Sequence, residues 1–188
     1  MKRQPRQPRP LDAARLQELA LAYVARFATS AAGLERYLQR KLRERGWDGE
    51  GAPDLRPLVA RYVELGYVDD AAYARAKSGS LLRRGYGPRR VTQALGQAGI
   101  GEEIREATRA GAGTERRAAL AMARKRGFGP FGPDKPDRER RQKQIAAMLR
   151  AGHPLDSARE MVDAPSEAAA GQWAAEVDDD DEAGDGES

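Results

Sequence analysis

The sequence predicts an all-α protein built from repeated helical modules. Apolar residues recur at helical spacing through most of residues 11–162, and no stretch alternates in polarity as a strand would. Ser, Asp, Pro and Gly stand where helices need starts and stops. Three helix-ending glycines, Gly46, Gly99 and Gly152, are separated by 53 residues each.

The elements follow in order. Residues 1–10 hold three prolines and four cations and are expected to be a flexible basic arm. Leu16, Leu19, Tyr23 and Phe27 fall on one face of a first helix. Thr29-Ser30 is placed to end it and cap the next, in which Leu34, Leu38 and Leu42 recur every fourth residue. Its other face carries Arg36, Arg40 and Lys41, and Gly46 supplies the stop. WDGEGAP reads as a linker or turn, followed by a helix capped by Asp54 with Leu55, Leu58, Val59 and Tyr62 as its stripe.

Gly66 ends that helix, and Asp69-Asp70 supplies an acidic cap at the positive end of the next one, which runs to Gly85 through Arg83 and Arg84. Pro88 suits the first position of a helix buried through Val91 and Leu95. Ile100 to Arg109 reads as helical, Gly111-Ala-Gly113 as a break, and Thr114 as the cap of TERRAALAMARKR. GFGPFGPDKP is a loop; RERRQKQIAAMLRAG is a basic helix ended by Gly152, and Leu155 to Val162 is a last short one. The chain beyond Ala164 reads as disorder.

These elements are expected to group as a basic arm (1–10), three helical repeats (11–50, 51–100 and 101–164) and an acidic tail (165–188). Similarity at a fixed interval marks stacked helical units, each too small to bury much alone. Three in a row would span roughly 60 to 80 Å, a basic ribbon suited to lie along something extended.

Charge sharpens the expectation. Residues 176–188 carry eight acids and no base, which leaves 21 acidic against 33 basic residues in 1–175, a body of about +12. Such a body is drawn to a polyanion, most simply nucleic acid or a protein coating it. Two readings of the tail stand: it folds back and competes with phosphates, so that deleting 176–188 tightens binding most at low salt, or it is merely solubilising and deletion leaves affinity unchanged.

Chemistry is expected to be absent. No phosphate-binding Gly-rich loop precedes a Lys-Ser or Lys-Thr pair, and there is no cysteine. His153 is the lone histidine, so zinc and triad sites lack their other members, and it reads as a helix-end residue. No enzyme activity, cofactor or metal is expected. The longest apolar run, Leu19 to Ala25, is far shorter than the roughly 20 residues a membrane helix needs, so a soluble, cytoplasmic chain is expected.

Residues 58–100, LVARYVELGYVDDAAYARAKSGSLLRRGYGPRRVTQALGQAGI, resemble the RecX family, regulators of the bacterial recombinase RecA. The matching positions are Gly66, Tyr67, Val68, Asp69, Asp70, Tyr73, Ala74, Gly87, Pro88, Arg89 and Arg90, and a looser resemblance covers about residues 15 to 160. It implies three tandem three-helix, helix-turn-helix-like repeats in an elongated, curved molecule. It also implies binding to the RecA filament on single-stranded DNA, which modulates, most simply inhibits, the recombinase in DNA repair and the SOS response; a monomer is expected. The alternative is a helix-turn-helix-like protein that binds DNA directly.

The candidate contact residues are Arg36, Arg40, Lys41, Arg83, Arg84, Arg89, Arg90, Arg138, Arg140 and Arg141. The sharpest reading concerns Arg89 and Arg90: after Pro88, free backbone amides and two guanidiniums would grip one phosphate or carboxylate. The competing reading is two solvated arginines partnered by Asp69 or Asp70. Tyr67 and Tyr73 read as core residues rather than base-stacking platforms.

Overall fold

The structure, a computed structural model, describes residues 9–177. Ten helices form there: α1 (Ala13–Val24), α2 (Ala31–Arg45), α3 (Arg56–Glu64), α4 (Asp70–Arg83), α5 (Pro88–Ala98), α6 (Glu102–Ala107), α7 (Ala112–Arg126), α8 (Arg138–Arg150), α9 (Leu155–Asp163) and α10 (Glu167–Ala175). A 3₁₀ turn spans Gly129–Phe131. Among the described residues strand-type pairing is limited to one isolated bridge, Leu11 with Trp47. The chain divides into two compact units, one of residues up to Tyr73 with Ala98–Ile100, the other of Ala74–Gln97 with residues from Gly101.

The first unit packs α1, α2 and α3 around Leu11, Leu16, Ala20, Leu34, Leu38, Val59, Tyr62 and Val68. Asp12 starts α1 by accepting from the Arg15 amide at 2.8 Å, and Ser30 starts α2 by accepting from Gly33 at 3.0 Å. Leu11 is clasped at both backbone groups: its amide donates to Gly46 O (3.0 Å) and its carbonyl accepts from Asp48 (2.8 Å). That clasp satisfies polar groups which the burial of Leu11 would otherwise strand.

The second unit's main core is rich in alanine and methionine: Ala119, Met122, Ala123, Met148, Ala158 and Met161 are buried where α7, α8 and α9 meet. Small side chains let these helices approach closely, and flexible thioethers fill the remaining gaps. Helix α10 closes the core onto α7 through Ala170 and Ala174.

Several expectations change. Helix α3 shares its core with α1 and α2, so the boundary expected at 50/51 falls inside one packed group; of the two readings of WDGEGAP, linker or turn, it is the turn, a loop within that group. Thr114 lies inside the first turn of α7, which starts from an extended Gly111. Residues 167–175 are helix, not disordered tail: a run of Ala and Gly carries little apolar signal yet packs tightly. The expectations for residues 1–8 and 178–188 lie outside the described residues.

The apolar helix face read through Leu16, Leu19, Tyr23 and Phe27 stops short of Phe27: α1 ends at Val24 so that Ser30 can take the extended geometry of a cap, and Phe27 is 55 % exposed. Tyr67 is 54 % exposed rather than core, and Tyr73 is half-buried. The left-handed Gly66 (φ +73°) brings the amides of both Tyr67 and Val68 onto Tyr62 O, turning Val68 inward in place of Tyr67. One residue along the next helix, Ala74 is buried beside Tyr73.

Candidate polyanion interface

The interval of 53 residues has a physical cause. In the first unit, Ser30 Oγ donates to Ala98 O (2.6 Å), Arg36 Nη2 reaches the same oxygen (3.2 Å), and Gly99 lies against Ala32 so closely that a Cβ would sit 2.3 Å from Ala32 Cβ. In the second unit, the Gly87 amide donates to Ala151 O (2.9 Å) and the Arg89 amide to Gly152 O (3.2 Å). A Cβ on Gly87 would lie 2.3 Å from the Gly152 carbonyl carbon. In both places the carbonyl end of a helix that closes on Ala-Gly docks onto the amide end of a helix 53 residues earlier in register. The partial charges are opposite; in the second unit the contact satisfies orphan backbone groups of both helices, and in the first the Ala98 carbonyl is met by the Ser30 and Arg36 side chains of α2.

That contact revises the sharpest sequence expectation. The α5 amides expected to grip an anion are already used on protein carbonyls: Gly87 and Arg89 on α8, and Arg90 on Gly87 O (3.0 Å). Only the guanidiniums of Arg89 and Arg90 remain for a ligand, and both side chains are exposed. Arg90 Nη1 donates to Gln93 Oε1 (2.8 Å), while Arg89 lines a cleft of about 490 Å³ with an apolar floor at Leu82, Val91 and Leu95. Neither acid proposed as their partner pairs with them. Asp69 caps α4 by accepting from Ala72 (2.8 Å), and Asp70 accepts from the Ala31 amide (2.8 Å) at the start of α2. The motif residues Gly66, Tyr67, Asp69, Asp70, Gly87 and Pro88 are therefore turn and cap chemistry.

The other cations differ in how free they are. Arg40 and Lys41 share Glu44, at 3.6 and 2.6 Å, and both lie near the Tyr37 ring, 5.5 and 5.9 Å from its centroid. The Lys41 ammonium holds the Glu44 carboxyl below its ordinary range. Arg83 is exposed, and Arg84 lies 5.5 Å from the Tyr86 ring. Arg138 and Arg140 are exposed on the first turn of α8. Arg141 is committed instead: it forms a two-point pair with Asp163 that raises the guanidinium's proton affinity and holds Asp163 low.

Sequence reasoning missed three features here. Rings Tyr23, Tyr37 and Phe27 stand together beside Arg40 and Lys41; the spacing of Tyr37 to Arg40 and Lys41 was the available signal. Arg116 lies 4.5 Å from the Trp173 ring and donates to Trp173 O (2.9 Å), which anchors α10. His153 is fully buried, with Nε2 bonded to Gly85 O at 3.0 Å and Nδ1 unpartnered, and burial lowers its pKa. Among the described residues no group of His, Asp or Glu is arranged to hold a metal, and no helix is long and apolar enough to cross a membrane.

Comparison with known proteins gives one answer. A family model described as RecX, second three-helix domain, matches residues 69–108, the span of α4 to α6. The regulatory protein RecX of Myxococcus xanthus is 33 % identical over 170 residues, covering 86 % of this chain and 91 % of that protein. That of Deinococcus radiodurans is 40 % identical over 106 residues, 56 % and 48 % of the respective lengths. The fold is similar to the crystal structure of RecX from Lactobacillus salivarius (TM-score 0.62, 17 % identity, 79 % of this chain and 93 % of that one). A second regulatory protein RecX structure superimposes with TM-score 0.60 at 23 % identity, over 79 % of this chain and 70 % of that one. With a relative of this identity matched over nearly its whole length, the chain belongs to the RecX family of regulatory proteins.

Proposed function

We propose that this chain binds the filament that the RecA recombinase forms on single-stranded DNA and restrains its activity, acting as a monomer without catalysis of its own. The observation that carries the reading is the near full-length match to a regulatory protein RecX. The basic body and the exposed guanidiniums of Arg89, Arg90, Arg138 and Arg140 supply attraction to a polyanion. A direct helix-turn-helix reader presents the N-terminal residues of its recognition helix to base edges. Here the N-terminal amides of α5 are covered by the carbonyl end of α8, and Ser30 at the start of α2 is engaged by Ala98. That packing argues against direct groove reading.

The test is DNA-dependent ATP hydrolysis by the cognate RecA with purified chain added below one copy per recombinase subunit. Inhibition at that ratio is expected, because a few bound copies act on a filament of many subunits. No effect at any ratio would overturn the reading.

A further inference from the structure

The geometry points to a single-strand binding platform on the first unit, where a base of single-stranded nucleic acid stacks on Phe27 while flanking phosphates meet Arg26 and Arg40. The Tyr23 ring stacks on Tyr37 with centroids 4.0 Å apart and planes 11° apart, and Phe27 follows at 5.3 Å and 43°. The three rings form a ladder. Its inner end is closed by Arg40 and Lys41 beside Tyr37, and its outer end, Phe27, stands more than half exposed. Tyr23 and Tyr37 pack on the rim of the core, and the Phe27 amide is tied to Tyr23 O at 3.0 Å, which fixes the backbone that carries the outer ring beside Tyr23.

The charge around the ladder selects the occupant. Arg26, next to Phe27, is exposed and has no ion pair among the described residues. Glu44 is shared between Arg40 and Lys41, which leaves an excess of positive charge. An exposed aromatic flanked by cations fits an unpaired base with its phosphates, since every base offers a π face once it leaves the duplex. A duplex hides that face. This deepens the reading above by giving the chain its own hold on the strand, and rests on that reading for the strand being single.

The test uses the full chain, a labelled oligothymidine and an abasic strand of equal length, with binding followed by fluorescence anisotropy. The wild type is expected to prefer the strand with bases. Phe27→Ala should weaken binding to it roughly 5- to 150-fold, the effect of losing one base–aromatic stack, and erase the preference. Phe27→Trp should keep the preference. Arg26→Ala should lower the salt slope by about 0.7 while the preference survives. Equal wild-type binding to both strands, or a Phe27→Ala variant that binds oligothymidine as tightly as wild type, overturns the platform. Measuring RecA inhibition on the same samples separates the two claims. Inhibition without base preference sinks only the platform; base preference without inhibition sinks only the RecA reading.

Discussion

Replacing Gly87 by alanine tests the helix-tip contact most severely. The added methyl would lie 2.3 Å from the Gly152 carbonyl carbon and 2.4 Å from the His153 amide nitrogen, both backbone atoms that no rotamer change moves aside. Relief requires α5 and the end of α8 to separate, which stretches the Gly87 amide bond to Ala151 O. Overpacking of this kind costs about 1–3 kcal/mol, and a weakened hydrogen bond adds about 1 kcal/mol. For a chain of this size roughly 2–4 kcal/mol lowers the melting temperature by about 4 to 16 °C. Gly66→Ala is the matched control, because Gly66 has a left-handed φ of +73° but nothing within 4 Å of an added methyl. It should cost only the left-handed penalty, about 1–2 kcal/mol. Circular dichroism melts of both variants decide the matter. A Gly87→Ala protein as stable as Gly66→Ala, or more so, would refute the claim that close approach fixes this position.

Three other outcomes follow from the same structure. His153 is held neutral, its Nε2–H donating to Gly85 O, and its folded pKa lies below the ordinary 6.5 because burial disfavours the charged ring. The unfolded chain then binds more protons, so stability is complete above about 6.5 and declines as pH falls through the folded value; chemical denaturation against pH should show that slope, and His153→Gln should flatten it. The double variant Arg89→Glu with Arg90→Glu should weaken filament binding while the helical spectrum stays unchanged, since the bond from residue 89 to Gly152 O is made by backbone; unaltered binding in a pull-down on immobilised filaments would exclude these guanidiniums. Truncation after Val177 keeps the Arg116 contact with Glu176 (3.5 Å) and removes seven acids, so affinity for a single-stranded oligonucleotide should rise most at low salt; equal affinity with and without the segment would make it solubilising only.

Much of the fold was legible because local chemistry and tertiary packing agree. Ser30, Asp69, Pro88 and Gly152 occupy the starts and stops that their side chains or missing side chains suggest. Even the 53-residue interval was readable as a pattern, although only the structure gives its cause, a carbonyl end docked on an amide end. What failed was information that no single segment holds. The affiliation of α3 depends on where Tyr62 and Val59 pack, and WDGEGAP looks the same whether it links or loops. Helix α10 is specified by a fit of alanines against α7, which hydropathy does not register. At the candidate interface, basic residues were easy to find but their availability was not. Arg141 is bound to Asp163, twenty-two residues away, and the α5 amides are bound to α8. Exposure of Phe27 and Tyr67 turned on where α1 and α3 end.

The central claim is that the chain recognises a filament rather than naked DNA. Affinity should be measured for cognate RecA filaments, bare single strands and duplex, across a salt series around 0.15 M. Filament binding is expected to be the tightest of the three and the least weakened by salt, because protein surface contributes to it. Equal or tighter binding to bare duplex, with a steep salt slope, would contradict the account and make this chain a direct DNA binder.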